Sequence, residues 1–341
     1  MCNRYYESGN FIRRALHILG SIPKKDDCVL HWCGIFILFA RAAQGGIQVG
    51  VVLSFVVVYL FGIITLMSEE CTHDCSSCSK GCSERKENFD FAAKLNAASK
   101  VGKVIAVASG KGGVGKSFVS EMLAVAAMKK GLKVGILDAD ITGPSIPKAF
   151  GITGGCLQSD KGIEPSVSLG GVKIISLNML VDNPSDPVVW RGPVIAGVVK
   201  QFWTDVHWGE LDVMFVDLPP GTGDVPLTVF QSLPVDGVVV VATPQDLVGM
   251  IVEKSVKMAQ MMDKPVVGLV ENMSYLKCPC CDRKIAVFGE SKVDALAEKF
   301  DIPHTARVPI DPSFAAAIDA GSAETLSIEG FDDFASKVLG R

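Results

Sequence analysis

A cationic surface is what this chain most lacks. Lys and Arg number 33 against 37 Asp and Glu in 341 residues, a formal net charge of −4. The imbalance is uneven. Residues 1–66 carry six cations (Arg4, Arg13, Arg14, Lys24, Lys25, Arg41) against Glu7, Asp26 and Asp27, a local +3 that leaves −7 for the remainder. An acidic body without a basic face argues against DNA or RNA as a partner, because that affinity rests on neutralising phosphates. Tyrosine is scarce too. Only Tyr5, Tyr6, Tyr59 and Tyr275 are present, so the C-terminal tyrosine cluster of a bacterial-type tyrosine autokinase is missing. The final stretch FDDFASKVLGR offers Lys337 and Arg341 as cations, balanced by two aspartates, too little for a basic helix that docks on membranes. There is no internal repeat and no low-complexity tract.

Apolar, β-branched runs recur instead: VIAVAS (104–109), KVGILDAD (133–140), VKIISLN (172–178), VMFVDLP (213–219), GVVVVAT (237–243) and PVVGLVEN (265–272). Such continuous runs suit strands buried on both faces of a parallel sheet. Helical stretches fall between several of them, at Ser117–Lys130, Pro193–Thr204 and Gly249–Met262, and two more close the chain, at Pro312–Ala320 and Phe331–Leu339. The alternation predicts an α/β fold, a doubly wound and mostly parallel sheet.

The first strand runs into GKGGVGKS, Gly110 to Ser117, and then into a helix. This is the context that a phosphate-cradling loop requires: glycines let backbone N–H groups approach an anion at the positive end of a helix. Gly110, Lys111, Gly112, Gly113, Val114, Gly115, Lys116 and Ser117 are the candidate cradle, with Lys116 reaching the β/γ-phosphates and Ser117 holding Mg²⁺. Two further strands end in acids suited to Mg²⁺ or an attacking water, Asp138 with Asp140, and Asp217. DLPPGTGD, Asp217 to Asp224, has the composition of a switch loop. An ordinary phosphate loop needs one lysine, and Lys111 is a second.

GKGGVGKS, DADITGPS, WRGP and DLPPGTGD, in that order, resemble the Mrp/ApbC family of iron–sulfur carrier ATPases. That family belongs to the deviant-Walker-A class of P-loop NTPases with MinD, ParA and the nitrogenase iron protein. The resemblance spans roughly Lys103 to Leu339. It implies binding and hydrolysis of ATP, with ATP and Mg²⁺ as cofactors, in a homodimer where Lys111 of each subunit reaches its partner's nucleotide. It also implies that Lys111, Lys116 and Asp140 are catalytic, Asp140 by orienting the water, and that Ser117, Asp138 and Asp217 surround Mg²⁺. Asn272 contacts the adenine, and Pro309–Asp311 close over the base. A lysine from each partner is physically sensible, because two polyphosphates near a two-fold axis repel one another.

Eleven cysteines are present, eight of them after Met67. KCPCCDRK supplies Cys278, Cys280 and Cys281. One C-x-x-C pair gives two thiolates where a tetrahedral metal or an iron–sulfur cluster takes four, and a symmetric dimer would supply the rest. By the resemblance, Cys278 and Cys281 hold a [4Fe–4S] cluster between subunits. Its source is an iron–sulfur assembly scaffold and its recipients are apo-proteins. A zinc knuckle or a redox pair remains an alternative for the trio, and Cys280 reads as a spare thiol. Cys71, Cys75, Cys78 and Cys82 could close round a second cluster or a zinc, or belong to a thiol-rich tail; His73 among them reads as a bystander. Cys156 reads as structural. Two other functions compete, a positioning ATPase like MinD or ParA, which leaves the cysteine pair unexplained, and a zinc-stapled nucleotide-binding docking module.

The first 66 residues admit two readings. Gly46–Met67 is 22 residues without a charge, long enough to cross a bilayer. As an anchor it would export everything after Met67 by the positive-inside rule, leaving a nucleotide site and thiols in an oxidising compartment. The favoured reading is that translation begins at Met67, with MSEECTHDCSSCSKGCSERKE as a polar N-terminus. The expected organisation is an apolar extension (1–66), a short Cys-rich segment and linker (67–100) and a P-loop ATPase domain (101–341), in the cytoplasm and without a membrane partner unless 46–67 is translated.

Overall fold

A computed structural model describes residues 92–140, 145–180, 192–245 and 250–341. The apolar stretch 46–67 and Cys71, Cys75, Cys78 and Cys82 lie outside the described residues, as do 141–144 of DADITGPS and Trp190 and Arg191 of WRGP.

The strands are β1 (Lys100–Ser109), β2 (Val134–Asp138), β3 (Leu157–Ser159), β4 (Gly162–Glu164), β5 (Ser166–Val167), β6 (Lys173–Ser176), β7 (Glu210–Asp217), β8 (Gly237–Ala242), β9 (Val266–Glu271), β10 (Leu276–Lys277), β11 (Lys284–Ile285) and β12 (Thr305–Arg307). The helices are α1 (Lys116–Lys129), α2 (Ile146–Ala149), α3 (Gly192–Thr204), α4 (Asp224–Ser232), α5 (Met250–Met261), α6 (Val293–Lys299), α7 (Pro312–Asp319) and α8 (Phe331–Leu339). Eight strands form one sheet in the order β12-β9-β8-β1-β7-β2-β6-β5. Every neighbouring pair is parallel except β5 with β6.

All six expected strands and five expected helices are present, with ends shifted by a few residues. Alternate residues of β1 feed two cores. Val104, Ala106 and Ala108 pack with α3, α4, α5 and α6 through Phe202, Val229, Val256 and Val293. Ile105 and Val107 face α1, α2 and α8 through Leu123, Ile146 and Phe334. Helices therefore cover both faces, which is why the strands read as unbroken apolar runs. Helix α1 is buried on nearly all sides from Val119 to Ala127, as an apolar helix between a sheet and other helices must be.

Because β1 is central, with β8 on one side and β7 on the other, the loop after it opens where the chain's direction of travel across the sheet reverses. Ligands in such sheets bind at the carboxyl ends of the strands beside that point. Register then fixes the neighbours: Val107 pairs with Asp217, and Asp217 pairs with Asp138. Two aspartates are thus set side by side, one strand spacing apart.

Trp208, ahead of β7, is fully buried and donates its indole N–H to the Phe202 carbonyl at 2.9 Å. Replacing it with alanine removes core volume and orphans that carbonyl. Trp208→Ala is expected to cost about 3–5 kcal/mol of unfolding free energy, read from the midpoint of urea denaturation.

Candidate functional site

The loop Gly110–Gly115 bends because its glycines permit it. Gly115 caps α1 at φ 79° with no side-chain cap, so the first N–H groups of the helix stay open to an anion. A Cβ at Gly115 would stand 2.1 Å from Asn272 Nδ2, and one at Gly110 would stand 2.3 Å from Ile251 Cγ2. The loop thus lies close against α5 on one side and the end of β9 on the other.

Lys116 is 6% exposed and lies between two carboxylates, with Nζ 2.8 Å from Asp217 Oδ2 and 3.2 Å from Asp140 Oδ2. Ser117 Oγ donates to Asp217 Oδ2 at 2.6 Å, and Ser120 Oγ donates to Asp217 Oδ1 at 2.6 Å. The Asp140 backbone N–H donates to Asp138 Oδ1 at 3.1 Å. Burial works against the Lys116 ammonium, yet Asp217 and then Asp140 outweigh it and hold its pKa above the ordinary value. Burial pushes the Asp138 carboxyl well up, and the neighbouring Asp217 charge adds to this. The structure therefore brings Lys116, Ser117, Asp138, Asp140 and Asp217 to one point.

A cavity of about 380 Å³ opens there, lined by Lys111, Lys116, Ser117, Asp140 and Pro220 among others. Lys111 is exposed at its rim. Pro220 belongs to DLPPGTGD, which is tied to the loop by the Gly221 N–H donating to the Ser109 carbonyl at 2.8 Å. A second cavity of about 360 Å³ lies at the other end of the sheet, between Lys100, Lys103, Glu210 and Asp212. Two of its lysines are engaged, Lys133 with Glu210 and Lys103 with the Val338 carbonyl, and it shares no residue with the phosphate loop. Ser117 lines the first cavity, while Asp138 and Asp217 are buried next to it and outside its lining; the three together fit Mg²⁺. Ser117, Asp138 and Asp217 offer only hard oxygens, and Asp138 Oδ2 is buried without a well-formed hydrogen bond among the described residues.

Asn272, at the end of β9, is buried and donates from Nδ2 to the Val114 carbonyl at 2.9 Å, which bridges it to the phosphate loop. Met273 follows at φ 56°. The chain is then fastened by Ser274 N–H to the Val308 carbonyl (2.9 Å) and by Ile310 N–H to the Tyr275 carbonyl (2.7 Å). These bonds bring Pro309, half-buried, beside the Asn272 segment. Asp311 caps α7, accepting from the Ser313 N–H at 2.8 Å.

That segment leads into the β10–β11 hairpin that carries the thiols. Cys278 N–H donates to the Arg283 carbonyl at 2.9 Å, and Asp282 N–H donates to the Cys278 carbonyl at 3.1 Å. Cys280 and Cys281 are exposed and Cys278 is half-buried. The Cys280 backbone N–H first, then the Cys281 thiol and N–H, hold the Cys278 pKa below the ordinary thiol value. Cys278 and Cys281 are thus together at the tip. Cys156 is lifted by burial. Among the described residues, no three His, Cys, Asp or Glu side chains are grouped to hold a metal ion, and no helix is long and apolar enough to cross a membrane.

Sequence reasoning missed Ser120 and Glu121, both on α1 and buried at the Asp217 side of the site. Burial, then Asp217 and Asp138, push Glu121 well above the usual carboxylate range. The available signal was two polar residues inside the apolar run of α1, one helical turn from Lys116 and Ser117.

Residues 100–338 match a family model described as ParA: NUBPL iron-transfer P-loop NTPase. The chain is 44% identical over 262 residues to an iron-sulfur cluster carrier protein of Clostridium perfringens, covering 73% of this chain and 90% of that one. An iron-sulfur cluster carrier protein of Saccharolobus solfataricus is 45% identical over 219 residues, 64% of this chain and 74% of that one. Among solved structures, a nucleotide-binding protein from Archaeoglobus fulgidus in complex with ADP superposes with a TM-score of 0.63 at 44% identity, over 69% of this chain and 92% of that one.

In the metal-free protein, Cys278 is expected to alkylate at lower pH than Cys156. Iodoacetamide labelling across a pH series, read by peptide mass spectrometry, checks this. A Cys156 midpoint at or below that of Cys278 would contradict the N–H donation described.

Proposed function

Since this chain belongs to the NUBPL iron-transfer P-loop NTPase family, we propose that it is an ATP-hydrolysing carrier that takes an iron–sulfur cluster from an assembly scaffold and delivers it to apo-proteins. One observation carries the reading. A phosphate-loop site and a thiol pair, half-buried Cys278 with exposed Cys281, adjoin the two ends of one short segment, Asn272–Cys278, whose first residue touches the phosphate loop.

The loop N–H groups and Lys116 bind the phosphates, while Asn272 and Pro309 take the base. Ser117, Asp138 and Asp217 would hold Mg²⁺, which would supply neutralising charge at the phosphates. Asp140 orients the attacking water. Lys111 at the cavity rim serves the partner's nucleotide, so hydrolysis needs two subunits. Cys278 and Cys281 supply two thiolates per subunit, and a two-fold axis makes the four that a [4Fe–4S] cargo takes. Cys71, Cys75, Cys78 and Cys82 would hold a second cluster, and Cys280 stays outside the ligand set. Reduced thiols and ATP favour the cytoplasm as the compartment for this work. Linkage then demands reciprocity, so that cluster loading changes nucleotide affinity.

Protein purified without air and with the four N-terminal cysteines changed to Ser is expected to hold about two iron and two sulfide per subunit. Cys278→Ser with Cys281→Ser should lose both. Zinc without sulfide would replace this reading with a docking module. Independently, Lys111→Ala is expected to lower ATP turnover by about 100-fold or more while single-subunit ATP binding, measured by calorimetry, persists. Unchanged turnover would remove the trans-acting lysine.

A further inference from the structure

None of the roles above uses Glu121. It sits on α1 one turn beyond Ser117, is 1% exposed, and reaches the wall of the phosphate-loop cavity. Its neighbours along the helix, Met122, Leu123 and Ala124, are buried apolar residues, so packing alone would favour an apolar side chain there. Glu121 Oε2 has no hydrogen-bond partner among the described residues, and Asp138 Oδ2 makes no well-formed bond there either, although the Ser176 hydroxyl lies near enough to favour the Asp138 carboxylate. Buried oxygens of this kind are normally satisfied by protein or by ordered water. Two of them in one site, among four carboxylates, call for a polar occupant, and one that carries positive charge would also offset the repulsion between the carboxylates.

A hydrated dication meets both requirements. Mg²⁺ sheds water reluctantly and is bound through one or two carboxylates while keeping several waters. The groups that hold those waters set the ion's position and affinity. We propose that Glu121 is a positioning residue for the divalent cation, its Oε2 accepting from a water of the ion's hydration shell while Ser117, Asp138 and Asp217 face the ion itself. The inference rests on the Mg-nucleotide part of the proposed function and is independent of the cluster.

The test follows Mn²⁺, as a paramagnetic stand-in for Mg²⁺, by electron paramagnetic resonance on the full chain with saturating ADP. Glu121→Gln keeps side-chain size and removes the charge; Glu121→Ala removes the carboxyl altogether. Both are expected to weaken Mn²⁺ binding about tenfold, with ADP affinity in EDTA held within about twofold of the parent chain. If one variant is recovered unfolded by circular dichroism, the other carries the measurement. Mn²⁺ affinity within about twofold of the parent chain overturns the proposal, whether or not the thermal midpoint rises. If the parent chain with ADP takes up no Mn²⁺, the metal-nucleotide reading itself fails. A parent chain that binds Mn²⁺ beside variants that bind it equally well removes only the role of Glu121.

Discussion

One alignment governs the site: the parallel register that places Asp138 directly beside Asp217 at the strand ends. Two buried carboxylates at one strand spacing repel, and burial pushes the Asp138 carboxyl well above its ordinary value. The Lys116 ammonium and the hydroxyls of Ser117 and Ser120 offset part of this by bonding to Asp217. Asp138 keeps one oxygen without a well-formed hydrogen bond among the described residues. Asp138 is therefore held where its ionised form is disfavoured, and the protein's own groups compensate only in part. A hard dication is the complementary charge in the proposed function, where phosphates would meet Lys116 and the open N–H groups of α1.

Helix α1 explains how such a cluster can be held rigid. Its middle is enclosed by the sheet, α2 and α8, and its first turn begins at a left-handed glycine with no side-chain cap. A surface helix would satisfy those N–H groups with water or a capping serine. Here they are left for a ligand, and the buried flanks supply the stability that the cap does not.

Much of this was legible in the residues. GKGGVGKS between a strand and a helix specified the cradle, and unbroken β-branched runs specified a doubly covered sheet because both faces are indeed buried. Acids at the ends of two such runs were readable as partners of the loop. Helices α4 and α6, edge strands β5 and β12 and the β3–β4 hairpin were not. These are short, and their pairing is decided by what they pack against more than by their own pattern. Glu121 was hidden for a related reason: a lone glutamate on a helix usually faces water, and only enclosure of α1 on all sides turns it inward. The C-x-x-C spacing singled out Cys278 and Cys281, but the backbone N–H groups that tune Cys278 exist only once the hairpin closes.

The stretch from Asn272 to Cys278 has little slack. Its first residue is clipped to the Val114 carbonyl, and the next bonds tie it to the chain around Val308–Ile310. A loose linker would absorb a displacement at the phosphate loop, as a coil absorbs a tug at one end. A strap fastened at successive points transmits it. The phosphate loop and the thiols therefore adjoin opposite ends of the same closely fastened piece of backbone.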